Sequence, residues 1–485
     1  MRYIPAFFRF EDSPKEATGL ALDYFGRGAV LTTAVFMGPA LLRLATEAMG
    51  CSSALSCNAR ILFMKPSSLL TNIATVAGLS SGLCMPLFGA IVDHTPHRRQ
   101  VGIYTAALLV VATLVPVVIS VHTWAFVAFF QVAVTCLYSV HAVTTYAYNA
   151  ELASDPAKQA RYNARFAIVQ NVAFGIFIVT VLTISSLLHT TVVWTARISQ
   201  LLATLMVVPF FTVAWWDMFG DRPASVELPT GQSVWTAGFI KLGKTYRCIQ
   251  RELPAVRMLV FAVGLSEPAA TGILPIAVTF FTDFLEMTPV EIGINYLLIL
   301  LSGIVGAKLG EWVSTRWNPV VSNILAIVLT MTSTTVAVVV LSTPQRKGWS
   351  YLFSALWGAL LTWLMTNDIT LFVTMTPAHS ITEYMGLYMF SASALSWLPP
   401  LTFTILDNYG VSMGLGLAST NIFLLLALLS YMGLGDYQEA VAQATRCVLK
   451  STNADDDHRA ALPLDYDRVP TESSRLNSNN VGSVA

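Results

Sequence analysis

Two acidic residues lie inside long apolar stretches of the sequence, where a charged side chain is costly. Glu267 falls near the middle of the apolar segment 255–282, and Asp368 follows Asn367 within the segment 349–376. An ionised carboxylate in hydrocarbon must be paired, protonated or open to a wet cavity, and proton relays use this arrangement. We therefore predict that Glu267, Asp368 and Asn367 bind substrate or protons. The alternative is that these polar groups only join neighbouring helices by hydrogen bonds.

Prolines mark two positions where an apolar helix could bend. Pro268 directly follows Glu267 and deletes one backbone donor, which predicts a local break beside a titratable acid and a role in gating. Trp397 stands before Pro399-Pro400, which predicts a kinked helix. There Trp397 either gates the pathway and contacts substrate, or only packs.

Polar residues near the ends of apolar stretches are weaker candidates. Tyr148 and Asn149 either contact substrate or anchor a helix end at the membrane interface. Asp23 and Arg27 are one helical turn apart, which favours a surface ion pair that contributes little. The histidines, His141 among them, show no pairing pattern and are expected to be structural.

The composition indicates that membrane-spanning helices position these residues. The chain has 485 residues, of which 55% are hydrophobic and 12% charged, and its mean hydropathy is +0.62. Soluble domains carry about 25% charged residues, so a large soluble enzyme is excluded. About 20 apolar residues cross the hydrocarbon core as a helix. The uncharged gaps predict an all-α polytopic membrane protein with twelve helices near 20–45, 66–92, 101–121, 124–150, 163–187, 192–216, 255–282, 290–312, 318–342, 349–376, 383–406 and 411–434.

Polar stretches divide the predicted helices into two groups of six. The prediction has a cytosolic amino-terminal segment (1–19), a six-helix bundle (20–216), a cytosolic linker (217–254), a second six-helix bundle (255–434) and a disordered cytosolic tail (435–485). Two bundles around a central cavity are typical of transporters.

Charge and cysteine usage bound the orientation and the partners. The odd-numbered loops hold six of the 28 basic residues, whereas the even-numbered loops and the termini hold thirteen and nine, which places both termini in the cytosol. With zero net charge and no basic stripe, nucleic acid is not an expected partner. Cys51 and Cys57 share the first odd loop and form either a disulfide or two free thiols. Within the tail, 466–469 fits a tyrosine-based sorting pattern, although such short patterns arise by chance.

The sequence shows no catalytic constellation, metal-ligand spacing or cofactor motif. We therefore expect no enzymatic activity and no cofactor. The expected partners are a small-molecule substrate, with an amino acid favoured, membrane lipid, and protons as a candidate coupling ion. The expected oligomeric state is a monomer.

The segment GAIVDHTPHRR, residues 89–99, follows predicted helix 2. It resembles the loop between helices 2 and 3 of the major facilitator superfamily, where glycine permits close helix approach and charged residues link helix ends across two bundles. The resemblance implies gating roles for Gly89, Asp93, Arg98 and Arg99. A matching run after helix 8, which indicates an internal repeat, implies the same for Gly306, Glu311 and Arg316.

Longer stretches carry a narrower resemblance. They include FMGPALLRLATEAMGC in helix 1, YAYNAELA at the end of helix 4 and MTPAHSITEYMGLYMFSASALSWLPPLTFTIL across helix 11. These stretches are similar to the autophagy-related protein 22 family, vacuolar effluxers within the major facilitator superfamily. The resemblance runs in patches along most of 20–434, and it implies export of amino acids from a vacuole or lysosome to the cytosol.

Together these features predict alternating access. The bundles would rock around a central site while Glu267 carries a proton from an acidic lumen to the cytosol. A facilitator for a nucleoside, sugar or organic ion is the alternative within transporters, and a non-transporting membrane receptor is the alternative outside them. A vacuolar or lysosomal membrane is expected, with the plasma membrane as the alternative.

Overall fold

The computed structural model describes residues 4–10, 14–51, 57, 59–60, 65–152, 156–224, 228, 233–376 and 381–443. These residues form helices and no strands, which confirms the predicted all-α class. Twelve helices in this part of the chain are long and apolar enough to span a membrane. Helices 1 to 12 are Lys15–Ala48, Pro66–His94, Arg98–Val118, Trp124–Asn149, Arg161–Leu187, Val192–Met218, Pro254–Phe284, Pro289–Arg316, Pro319–Val340, Pro344–Met375, Tyr384–Asn408 and Met413–Met432.

The predicted breaks at proline occur in helix 11 but not in helix 7. Helix 11 is interrupted between Ala394 and Leu398, just before Pro399-Pro400, which confirms the predicted kink. Helix 7 continues from Pro254 to Thr279 straight through Pro268, so the predicted break there is wrong. One missing hydrogen bond does not interrupt a helix whose turn at Pro268 is buried by neighbours on every side.

Helices 1 and 7 are the two most enclosed spans. Outside these two helices, glycines let two further pairs of helices approach closely. A Cβ atom on Gly102 would lie 1.8 Å from the Trp215 ring, and one on Gly306 would lie 1.9 Å from the Ala359 carbonyl oxygen. These glycines bring helix 3 against helix 6 and helix 8 against helix 10. The close approach expected at Gly89 is absent, because a Cβ atom there would only touch Val143 at 3.9 Å.

The predicted linker contains an amphipathic helix, Val234–Glu252, which we call the linker helix. It packs against helix 2 so closely that a Cβ atom on Gly238 would lie 2.0 Å from the Pro86 carbonyl oxygen. On its other side the Cys248 thiol contacts the Tyr384 hydroxyl of helix 11 at 3.9 Å. The linker helix therefore bridges helices from both halves.

Two loop and tail predictions have different outcomes. Cys51 and Cys57 form a disulfide, with their Cα atoms 5.5 Å apart. Residues 437–443 are helical and Ala440 packs in the core of the second half, so the predicted disorder is wrong for this first part of the tail. The sorting pattern at 466–469 lies outside the described residues.

Candidate functional site

Asp368 is the centre of a buried polar cluster in the second half. The side chain is fully buried in helix 10. It accepts hydrogen bonds from Ser266 of helix 7 at 3.0 Å, from the Asn323 amide of helix 9 and from the Tyr431 hydroxyl of helix 12. We call Asp368 and these three partners the carboxy-terminal centre. Each partner is electrically neutral.

Asn367 does not face Asp368's partners, although the two residues are adjacent in the chain. Its amide donates to Ser322 and its carbonyl accepts from Ser314 at 2.9 Å. Ser322 also accepts from the indole of Trp363 at 2.8 Å. Asn367 therefore joins helices 8, 9 and 10 by hydrogen bonds.

Glu267 lies one residue beyond Ser266 and faces helix 11. Its Oε1 accepts a hydrogen bond from the Tyr388 hydroxyl at 2.8 Å, and the residue is 6% exposed. Within the described residues, no Lys, Arg or His pairs with this carboxyl group. Thr271 lies one turn further along the same face of helix 7 and is exposed. Glu267 is thus just below an accessible surface of an otherwise enclosed helix.

The first half contains a matching buried centre that the sequence did not reveal. Asp23 of helix 1 is fully buried and accepts from His141 of helix 4 at 2.8 Å and from the Trp215 indole of helix 6 at 2.9 Å. Its other oxygen is 2.7 Å from Nε of Arg27, which is also buried. The second ring nitrogen of His141 bonds the Thr105 hydroxyl of helix 3 at 2.7 Å. We call these five residues the amino-terminal centre.

This centre corrects two expectations. Asp23 and Arg27 do not form a surface ion pair but a buried one, because helix 1 is enclosed by its neighbours on this face. His141 does have an acidic partner, 118 residues away in sequence. The one-turn spacing of Asp23 and Arg27 does indicate a pair. The same spacing also brings side chains together on exposed helices, so it does not predict burial.

Tyr148 and Asn149 serve the packing of the first half. The Tyr148 hydroxyl donates to the Gly220 carbonyl at 2.7 Å, and its ring packs against Phe219. The Asn149 amide donates to Asn163 at 2.7 Å. The structure therefore provides no support for their expected contact with substrate, because their described polar contacts join helix 4 to helix 5 and to the chain after helix 6.

The charged residues between helices 2 and 3 make contacts of two kinds. Arg98 pairs with Glu151 at 2.6 Å, and Arg99 contacts the Trp216 carbonyl at 3.1 Å. These basic residues therefore bind helix ends within the first half. Asp93, by contrast, pairs with Lys241 of the linker helix at 3.1 Å. The expected link toward the second half is made by the acid alone, through the linker helix.

The residues expected to gate after helix 8 lie apart from this contact. Gly306 packs against helix 10, as described above. Glu311 is exposed and pairs with Lys308 of its own helix at 3.0 Å, and Arg316 is exposed at the end of helix 8. No described contact joins these three residues to the first half.

The two halves touch directly at the end that carries the odd-numbered loops. Ser67 and Ser68, at the start of helix 2, donate to the Asp407 carboxylate at 2.5 and 2.8 Å. One turn inward, the hydroxyls of Thr71 and Thr404 are 2.7 Å apart. Hydrogen bonds between helices 2 and 11 therefore close this end.

Trp397 lies at the break of helix 11, where helix 2 of the first half approaches closely. A Cβ atom on Gly78 of helix 2 would lie 2.9 Å from the Trp397 backbone nitrogen. The indole donates to the Ala394 carbonyl at 2.9 Å, and the Trp397 carbonyl accepts from Thr75 at 3.4 Å. Trp397 therefore sits on the interface between the halves, with its indole hydrogen bonded inside its own helix.

Solved structures of transporters share this architecture at low sequence identity. The chain is similar to a point mutant of the nucleoside transporter NupG, with 9% identity, a TM-score of 0.60, and coverage of 87% of this chain and 100% of that one. The POT family transporter PepTSo is 12% identical, with a TM-score of 0.61 and coverage of 88% of this chain and 98% of that one. The inward open xylose transporter XylE from E. coli is also 12% identical, with a TM-score of 0.58 and coverage of 88% of this chain and 98% of that one.

These likenesses show the fold. No curated protein sequence matches the chain. The family model described as Major Facilitator Superfamily matches residues 18–399, which cover helices 1 to 10 and the first part of helix 11. Because this match extends over most of the sequence, the chain belongs to the Major Facilitator Superfamily.

Proposed function

We propose that the protein is a secondary active transporter that moves a small solute by alternating access and couples this movement to protons. The observation that carries the proposal is Glu267, a buried carboxyl group in helix 7 whose described partner is one hydroxyl group. A carboxyl group without a cation is costly to ionise in a membrane, and the Tyr388 hydroxyl can donate to the ionised form or accept from the protonated form. Glu267 can therefore gain and lose a proton without losing its partner.

The arrangement of the halves supports alternating access. Bundles 20–216 and 255–434 act as the moving units in this proposal. The hydrogen bonds from Ser67 and Ser68 to Asp407 must break before the end that carries the odd-numbered loops can open. At the other end, the linker helix and its Asp93–Lys241 pair adjust the separation of the halves. Hinge and rocking motions of packed units follow this pattern.

We further propose that the solute is an amino acid exported from a vacuole or lysosome to the cytosol, with both termini cytosolic. The support is the sequence resemblance to the autophagy-related protein 22 family and the excess of basic residues in the even-numbered loops. The Cys51–Cys57 disulfide fits an odd loop outside the reducing cytosol. NupG and XylE are described as transporters of a nucleoside and of xylose, and PepTSo as a transporter of the POT family, of which another similar structure is described as a peptide transporter. These solutes therefore belong in the same test.

The test is flux into proteoliposomes that contain the purified protein under an imposed pH gradient. Labelled amino acids are compared with a nucleoside, a pentose and a dipeptide. We expect uptake that depends on the gradient and that falls at least tenfold in Glu267→Gln, which keeps the shape of the side chain but cannot ionise. The matched control is Glu439→Gln, at an exposed position outside the twelve helices.

The outcomes separate the parts of the proposal. Equal gradient-driven flux in the wild type and Glu267→Gln would refute the proton role. If only the nucleoside or only the sugar is transported, that solute takes the place of the amino acid as the proposed substrate. If none of the solutes moves although the protein binds one of them, the non-transporting receptor becomes the better explanation. Metabolite profiles of vacuoles from cells that lack the protein then test the cellular role.

A further inference from the structure

Arg27 carries a buried hydrogen-bond donor that the described part of the protein leaves without an acceptor. Its Nε faces Asp23 at 2.7 Å, and the residue is 1% exposed. Its Nη2 is buried and has no hydrogen-bond acceptor among the described residues. A buried cationic N–H without an acceptor is costly. An anionic group that binds there during the transport cycle would remove that cost.

We propose that Nη2 of Arg27 binds the carboxylate of the transported solute, an inference that rests on the transport function proposed above. Arg is suited to this task because its planar guanidinium stays charged and can bind one acid through Nε and another through Nη2. The Asp23 carboxylate forms its ion pair at Nε, with 2.7 Å between the two atoms. A second carboxylate at Nη2 can leave that ion pair in place.

The surroundings of Arg27 form a site for an amphiphilic solute. Its guanidinium carbon lies 4.2 Å from the centre of the Tyr24 ring and 5.8 Å from that of the Tyr138 ring. The Gln170 amide donates to the Tyr138 hydroxyl at 3.2 Å and so fixes this ring. Helices 1, 4 and 5 thus supply a cation, two aromatic faces and an amide, which together suit a carboxylate joined to an apolar side chain.

The site lies on the one accessible stripe of helix 1. From residue 17 to residue 42 this helix is buried except at Tyr24, Leu31 and Ala34. Together with Arg27 these residues follow the spacing of three, four and three that defines one helix face. Arg27 is the buried member of this stripe, so the proposal requires that a solute reach it along the stripe during the transport cycle.

The depth of Arg27 also fits a central site. Arg27 is about 18 Å along helix 1 from its start at Lys15, and Glu267 is about 20 Å along helix 7 from its start at Pro254. The two side chains therefore lie at similar distances from the starts of corresponding helices in the two halves. Transporter sites built from two repeats lie at such levels near the membrane midplane.

The decisive experiment needs no variant. Thermal stabilisation and equilibrium binding of the wild-type protein in lipid nanodiscs are measured with leucine, tyrosine and glutamate and with their amides and decarboxylated amines. We expect at least one of the three acids to bind, and its amide and amine to bind about 10- to 100-fold more weakly, the range for a lost hydrogen bond to a charged group. Equal binding of the acid, amide and amine would overturn the proposal.

Two variants then assign the effect to Arg27. Asp23→Asn with Arg27→Gln removes both charges together, so that no unpaired ion stays buried, and it should abolish the preference for the acid. Arg27→Lys keeps a charge but loses the second donor edge and should retain only part of the preference. An unchanged preference in the folded double variant would also overturn the proposal.

The proposal about Arg27 and the transport function can fail separately. If none of the acids binds but a nucleoside or a pentose shows proton-driven flux, the carboxylate site is refuted and the transporter stands. If the acids bind through Arg27 but no solute crosses the membrane, the site stands and the transport function is refuted.

Discussion

Each half of the molecule has a buried aspartate at the centre of a polar cluster built from equivalent helices, but the partners of the two aspartates differ in charge. The amino-terminal centre draws on helices 1, 3, 4 and 6, and the carboxy-terminal centre on helices 7, 9, 10 and 12, which are the same positions in the second half. Asp23 has Arg27 and His141 beside it. Among the described residues, the partners of Asp368 are the hydroxyls of Ser266 and Tyr431 and the amide of Asn323.

The two centres differ in whether the partners of the aspartate can accept a hydrogen bond as well as donate one. Arg27 and the Trp215 indole are donors only, so both favour the ionised Asp23 carboxylate, which can accept at each of its oxygens. Hydroxyls donate and accept, so Ser266 and Tyr431 can serve Asp368 in either protonation state. The amino-terminal centre therefore favours the ionised form of Asp23. The hydroxyl partners of the carboxy-terminal centre suit Asp368 in either protonation state, which is what the proposed proton coupling requires.

The largest expected effect comes from neutralising the two aspartates separately. Asp23→Asn leaves the buried Arg27 uncompensated and should lower the free energy of unfolding by about 3–5 kcal/mol. Asp368→Asn should cost about 1 kcal/mol or less, because the hydroxyls can reorient to the new amide. Thermal and denaturant unfolding in the same detergent compare the two variants. An equal loss of stability would mean that the centres do not differ in charge balance.

A smaller effect is expected for the tryptophan of the amino-terminal centre. Trp215→Phe removes the hydrogen bond from the indole to Asp23, which should cost about 1.5–3 kcal/mol beyond the lost packing. Trp357→Phe is the matched control, since Trp357 is equally buried and its indole nitrogen has no partner among the described residues. Both variants are unfolded in the same detergent. The excess loss of unfolding free energy in Trp215→Phe gives the contribution of the hydrogen bond. No excess would mean that Asp23 does not hold the indole.

The sequence predicted the spans and the carboxy-terminal acids well, for a simple reason. Lipid requires long uncharged helices, so charges mark the loops, and an acid that interrupts a span is conspicuous. Glu267 and Asp368 were found in this way and both are buried. The partners of these acids were not found, because Tyr388 and Tyr431 are ordinary residues of apolar helices until the fold brings them near a carboxyl group.

The amino-terminal centre and the gating contacts show where sequence patterns are ambiguous. Asp23 and Arg27 have the same spacing whether they face water or a neighbouring helix, and only the packing of helices 4 and 6 decides. The loop that resembles the superfamily motif predicted contacts between the halves. Arg98 and Arg99 instead stay within the first half, because the ends of helices 4 and 6 lie closer than the second bundle.

The smallest expected effect distinguishes a surface ion pair from the buried pair of the amino-terminal centre. Asp93 and Lys241 join helix 2 to the linker helix, but the two side chains are 33% and 40% exposed. A double-mutant cycle of Asp93→Asn and Lys241→Met should give a coupling of about 0–1 kcal/mol that falls further in high salt. A salt-independent coupling above about 2 kcal/mol would contradict this expectation. The pair would then resemble Asp23–Arg27, and the linker helix would be fixed to helix 2 rather than free to move with the halves.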